Sequence, residues 1–316
     1  VSMANPFRFY PDTEDGKPRM PTEKCPKIKG QRRLKASVIM PRAPGLDAFE
    51  WWGKSQSLMI LRSLKNKPNL ALNTPGYRFR KYAPLIAASI LIAIENFRLH
   101  EPNEEWVHRD LKLENIQLQI SDTDPVEITT TLIDAEGIAP VSQGVGRLAG
   151  TAGYVGKEFY NFVYTQQLFP ISPKTDSYAA GIALLLICFD NFHALMCDQS
   201  KESDVPYLIK NRITRDRFIF LDEIESVSYQ HPEKSKPILL KPILPASSPD
   251  YQSSYQKVKA IASMVEDDPN NRPLSLEVLR SAFMPEVQYL VDSDPSLRNT
   301  PAIQSLFNNF RGILHP

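Results

Sequence analysis

Two stretches with almost no charge constrain this fold more than anything else in the chain. Tyr82 to His100 is nearly continuous in Ala, Ile and Leu, and Ala179 to Phe189 is the most apolar run of the sequence. A surface helix keeps its apolar residues on one stripe, whereas a segment apolar on most sides must be surrounded by other elements. The second run falls far short of the roughly 20 residues that a membrane-crossing helix needs. Both are therefore expected to be buried helices, and no membrane span is expected. At 316 residues the chain is long enough for one large domain or two ordinary ones, with a core that needs no covalent staples.

The other elements are read around these two. Lys35 to Met40 is a β-branched run with the look of a buried strand. Asp47 to Leu64 has helical spacing. Ile116 to Ile120 and Val126 to Ile133 read as a strand pair about the turn Ser121 to Pro125. Ala139 to Gly156 holds five glycines and is expected to be a mobile loop. Helices are predicted over Asp176 to Phe192, Tyr255 to Glu266, Leu274 to Ala282 and Ala302 to Phe310. Residues 198–250 are polar and proline-bearing and take no clear pattern. The chain thus reads as mostly helical, with a small strand component near the front.

Charge and cysteine narrow the function classes. With 37 Lys+Arg against 36 Asp+Glu, a general nucleic-acid coat is not expected. Cys25, Cys188 and Cys197 form neither a disulfide framework nor a zinc spacing, so a reducing compartment is the default. Val1 to Tyr10 lacks the basic-then-apolar pattern of a signal peptide.

The chemistry lies in one loop. His108-Arg109-Asp110-Leu111-Lys112 is followed by Asn115. Phosphoryl transfer needs these residue types together: a carboxylate for the attacking hydroxyl, a cation for the charge on the transferred group, and an amide oxygen for a hard metal ion. This loop resembles that of the eukaryotic-type protein kinases, H-R-D-L-x-x-x-N with its added lysine. Further pieces follow in the family's order. Leu132-Ile133-Asp134 resembles the approach to the DFG motif, and Gly150-Thr151-Ala152-Gly153-Tyr154-Val155-Gly156-Lys157-Glu158 resembles GTxxYxAPE. Asp176 to Gly181 resembles DxxxxG, and Asp268-Pro269-Asn270-Asn271-Arg272-Pro273 resembles DPxxRP. Upstream, Val38 to Gly45 resembles the fifth strand and hinge. The likeness runs from about residue 36 to residue 283.

The resemblance implies an α+β, protein-kinase-like fold with a mainly helical C-lobe and a reduced small β N-lobe. It divides the chain into a partial N-lobe and hinge (1–42), a C-lobe (43–285) with a polar insertion at about 198–250, and a C-terminal helical extension (286–316). It implies an ATP- and Mg²⁺-dependent protein serine/threonine kinase, with a protein substrate and a cytoplasmic location, or the host cytosol for a bacterial effector. Asp110, Lys112 and Asn115 carry catalysis. Asn115 and Asp134 hold the metal. Met40, Pro41 and Ala43 meet adenine, and Asp47 meets the ribose or simply caps a helix. Glu158, Asp176 and Arg272 are structural, while Arg109, Ser142 and Thr151 are the regulatory candidates. A protein partner through 198–250 is also expected.

The chain departs from the family in its front part. No glycine-rich phosphate loop and no VAIK-like lysine strand precede the hinge. Lys17, Lys24, Lys27 and Lys29 are substitutes without a motif. The metal motif reads Asp134-Ala135-Glu136-Gly137: either Glu136 replaces the glycine, or one residue is inserted before Gly137. Gln117 stands where an apolar residue floors the adenine pocket. These departures keep two alternatives open. One is a pseudokinase that acts as a protein-binding scaffold; the other is a small-molecule phosphotransferase.

Overall fold

A computed structural model describes residues 8–11, 36–39, 43–63, 79–80, 82–121, 127–134, 137–146, 149–165, 169–189, 192, 210–220, 227–240, 251–293 and 297–314. Met40, Pro41, Ala135, Glu136 and the four front-end lysines lie outside them, as do the turn 122–126 and most of 193–209 and 241–250. The chain divides into two compact units, Val1–Pro44 and Gly45–Pro316. In the first unit, β1 (Arg8–Pro11) pairs antiparallel with β2 (Ala36–Ile39), in register from Arg8↔Ile39 to Pro11↔Ala36.

The second unit is built around the two apolar helices. α2 (Ala83–Arg98) is buried along nearly its whole length. α4 (Pro173–Cys188) is buried from Thr175 to its end. α4 starts one turn earlier than the periodicity predicts. Ser172 caps it by accepting from Lys174 N at 3.2 Å, and Pro173 opens it, where a missing N–H costs nothing. Gly181 lets α4 approach α5 (Tyr251–Met264): a Cβ there would lie 2.8 Å from Met264 Cβ.

Short strands frame the site region. β3 (Leu46–Asp47), β5 (Ile116–Ile120) and β6 (Ile128–Leu132) form an antiparallel sheet in the order β3-β5-β6. Asp47 then opens α1 (Ala48–Ser63), its Oδ1 accepting from Glu50 N at 2.7 Å. β4 (Trp106–Val107) pairs with β7 (Ala139–Pro140), and β8 (Val145–Gly146) pairs with β9 (Phe169–Pro170). The stretch read as one glycine-rich loop is therefore tied down at both of these ladders. The helix α3 (Lys157–Thr165) between them was not foreseen.

Strand structure is not confined to the front. β10 (Phe218–Phe220), β11 (Val227–Tyr229) and β12 (Ile238–Leu240) make a separate antiparallel sheet inside the polar stretch. Its buried face is made by Phe218, Val227, Tyr229 and Leu240.

The C-terminal boundary also differs from expectation. α6 (Ser275–Val278) runs through a π turn (Leu279–Phe283) into α7 (Met284–Ser293). Proline lacks an N–H and crowds the carbonyl four residues back. Pro285 is therefore tolerated because Ser281 lies in the widened turn, where Met284 N bonds back to Leu279 O. Val287 and Val291 of α7 join the main core. So do Ile303, Leu306 and Ile313 of α8 (Pro301–Leu314). Residues 286–314 thus belong to the same compact unit as the rest of Gly45–Pro316 and are not a separate extension.

Candidate active site

The loop from His108 to Asn115 leaves β4 and enters β5, and its shape is set by one buried carboxylate. Asp176, in the first turn of α4, accepts from His108 N at 2.6 Å through Oδ2 and from Arg109 N at 2.8 Å through Oδ1. Two amides pointing at one carboxylate require a sharp backbone turn. Arg109 accordingly sits at φ 69, a left-handed conformation that non-glycine residues adopt only when their surroundings force it. Burial raises the Asp176 pKa to about 6, against the pull of His108, Arg109 and the two amides. The helix N-terminus also favours its anion.

Asp134 is placed by the same loop. The His108 ring donates from Nε2 to Ile133 O at 2.9 Å, and Ile133 N donates to Asn115 O at 3.0 Å. The residue before Asp134 is thus held on both sides, and Asp134 itself takes φ 62 at an exposed position. Gly137 packs against this bracket. A Cβ there would lie 2.8 Å from His108 O, so no other residue fits without a shift. This favours reading Gly137 as the motif's glycine, with one residue preceding it.

Asp110, Lys112 and Thr151 close a small ring. Thr151 Oγ1 donates to Asp110 Oδ1 at 2.7 Å, Lys112 Nζ donates to Thr151 Oγ1 at 3.1 Å, and Lys112 Nζ stands 3.2 Å from Asp110 Oδ2. Asn115 Nδ2 donates to Asp110 O at 2.8 Å and to Oδ2 at 3.3 Å. Asn115 is buried, whereas Asp110 and Lys112 are half-buried and reachable. The spacing of the motif therefore delivers a carboxylate, a cation and a hydroxyl to one point.

Glu158 and Arg272 meet as expected. Arg272 Nη1 and Nη2 reach Glu158 Oε1 and Oε2 at 2.6 and 2.8 Å, and the Arg272 side chain has no solvent exposure. Its remaining donors are used too: Nε reaches Glu266 O at 2.7 Å and Nη1 reaches Lys174 O at 3.1 Å. The guanidinium lies over the Tyr178 ring, 4.9 Å from its centroid.

The other site residues are less concentrated. Asp47 is engaged as a helix cap. Ala43 belongs to the first unit, and Met40 and Pro41 lie outside the described residues. Ser142 is held at the surface: its N donates to Glu104 Oε1 at 3.1 Å and its hydroxyl donates to Glu104 Oε2. Those bonds pull the Glu104 pKa down. Arg109 is buried, with its guanidinium beside Gly146 and with Nε and Nη2 lacking partners among the described residues. Burial lowers its pKa, and Asp176 works in the opposite direction.

Sequence reasoning missed Glu95. Its Oε1 accepts from Leu276 N at 3.0 Å, and its Oε2 accepts from Arg98 Nε at 2.9 Å and Nη2 at 2.7 Å. Burial raises its pKa, and Arg98 offsets part of that. A Glu and an Arg three apart inside an otherwise apolar helix were the available signal, since buried charges must be paired.

The donor set bears on the metal. Among the described residues, no cluster of three His, Cys, Asp or Glu side chains could hold a metal ion. Asn115 spends its amide nitrogen on Asp110, which leaves its oxygen as the atom able to ligate a cation. Asn115 and Asp134 then fit an ion that takes one or two protein oxygens and completes its shell with phosphate and water, as Mg²⁺ does. Compared with known proteins, the sequence matches no protein-family model and no curated protein. Among the described residues, no helix is long and apolar enough to cross a membrane.

Proposed function

We propose that this chain is an ATP- and Mg²⁺-dependent protein serine/threonine kinase. The observation that carries the reading is the ring of Asp110, Lys112 and Thr151. Asp110 Oδ1 already accepts a hydrogen bond from the Thr151 hydroxyl, and the Lys112 ammonium donates to that hydroxyl oxygen while standing 3.2 Å from Asp110 Oδ2. That is the arrangement needed to orient an acceptor Ser or Thr hydroxyl, take its proton on the Asp110 carboxylate, and offset negative charge through Lys112. Asp176 fixes the loop that presents Asp110, and the Ile133 bracket fixes Asp134. Mg²⁺ bound by Asn115 and Asp134 would neutralise charge on the nucleotide phosphates. Met40, Pro41 and Ala43 remain the proposed adenine contacts, in a reducing, cytoplasmic setting.

A second reading, a pseudokinase scaffold, is favoured by one specific observation: the metal motif carries Glu136, and no VAIK-like lysine or glycine-rich loop is recognisable within residues 1–35. The deciding experiment is transfer of labelled γ-phosphate from ATP with Mg²⁺, onto the chain itself and onto a generic acceptor protein, compared with Asp110→Ala. We expect transfer by the native chain and a loss of at least about 100-fold in the variant. Absence of transfer by the native chain leaves a scaffold or a lobe severed from its phosphate grip, and the same assay on a longer chain separates the two; absence there as well overturns the kinase reading.

A further inference from the structure

One buried donor near the site has no use in the network described so far. The Trp106 indole N–H is shielded from solvent and has no hydrogen-bond partner among the described residues. A buried donor left unpaired is costly, and each one in a native fold calls for an explanation. A cavity of about 10 Å³ adjoins it, lined by Glu95, Arg98, Trp106, Asp176, Ser177 and Ser275 together with apolar residues. That is room for one water molecule, and a water needs two to four polar partners, which this lining supplies.

Asp176, whose carboxylate shapes the catalytic loop, lines the same cavity. Each Asp176 oxygen takes a single amide N–H, from His108 or from Arg109. A carboxylate oxygen can accept more than one hydrogen bond, so acceptor capacity is left over in a fully buried anion. We propose that one internal water fills this cavity, accepting from Trp106 Nε1–H and donating to the Asp176 carboxylate, which makes Trp106 a positioning residue for the His108–Arg109 backbone.

The water satisfies the orphan donor and adds a third hydrogen bond to an anion that burial disfavours. The charged and titratable groups near Asp176 are Glu95 and Arg98 of α2, which line the same cavity, and His108 and Arg109 on the loop. His100 lies on the other side of Trp106, with ring centroids 5.4 Å apart. The inference does not depend on kinase activity, and its tests do not use it.

The first test needs no variant. In a high-resolution crystal structure of the native chain, the cavity should show one ordered water between Trp106 Nε1 and Asp176. In solution, the Trp106 indole proton should show magnetisation transfer from a long-lived water. A dry cavity or an indole proton without that transfer overturns the proposal. The second test is Trp106→Phe, which keeps a ring beside His100 and removes the donor. Loss of the water leaves the ionised Asp176 less well solvated. The melting-temperature deficit of Trp106→Phe should therefore widen between about pH 4 and pH 8, as Asp176 ionises. A deficit that is the same at both pH values is the signature of lost packing alone and overturns the positioning role.

Discussion

Glu158 and Glu104 both fasten the segment that runs from Asp134 to Glu158, one from the interior and one from the surface. Glu158 grips a guanidinium with no solvent exposure, which also donates to the backbone carbonyls of Glu266, Lys174 and Asp267. Glu104 grips the amide and hydroxyl of Ser142 in the open. Both are carboxylates accepting two hydrogen bonds, yet burial makes them unequal. Water competes for every partner of Glu104, so releasing it costs little. Nothing competes for the partners of Glu158, so removing one side strands a charge. The comparison teaches that the inner fastening holds the fold, while the outer one is free to open and close.

The largest effect is expected at the inner end. Arg272→Met should lower stability by about 3–5 kcal/mol, measured by chemical denaturation, because Glu158, whose side chain is only 11% exposed, is left unpaired. Arg272→Lys should recover only part of this, since an ammonium cannot match both carboxylate oxygens and the Glu266 carbonyl. If Arg272→Met costs no more than a surface pair, the comparison fails.

A smaller effect, defined by its pH dependence, belongs to Asp176. Its folded pKa, about 6, lies above the unfolded value of about 3.9, so the folded chain holds the proton longer. Stability from this group is full below about pH 4 and is lost as pH rises through about 6, by on the order of 3 kcal/mol. Asp176→Asn has no such titration. The margin of the native chain over Asp176→Asn should therefore shrink between pH 4 and pH 6.5 and then level off, as followed by melting temperature. A margin that grows over this range would show that the two amides outweigh burial.

The smallest stability effect is expected at Ser142. Ser142→Ala should leave the melting temperature unchanged. Ser142→Asp sets a negative charge against Glu104 and should loosen the 141–146 backbone, read as faster amide hydrogen exchange there. Unchanged phosphate transfer in both variants would remove Ser142 from the regulatory candidates.

Much of the site was legible because its residues are dictated by chemistry at close sequence spacing. Asp110, Lys112 and Asn115 fall within one loop, Asp176 meets the backbone of that loop, and Glu158 meets Arg272. What escaped was held by partners without motifs. Glu104 meets Ser142 across 38 residues, and Glu95 meets Leu276 across 181. In the fold, α2 and α4 were plain from their apolar runs, and β5 and β6 from alternation about a turn. The β10–β12 sheet was hidden because its strands are only three residues long, too short for alternation to register. α7 was hidden because Pro285 reads as a stop.

The π turn before Pro285 also sets the phase of everything after it. An extra residue accommodated in one turn offsets the following helix about its axis by about 100°, the angle one residue subtends. Glu286, Val287 and Val291 are buried in the helix that follows this turn. Deleting a single residue from 279–283 would restore a regular α-helix and rotate all three away from their buried positions. The sequence upstream would be untouched, and the C-terminal end would present the wrong side to the core.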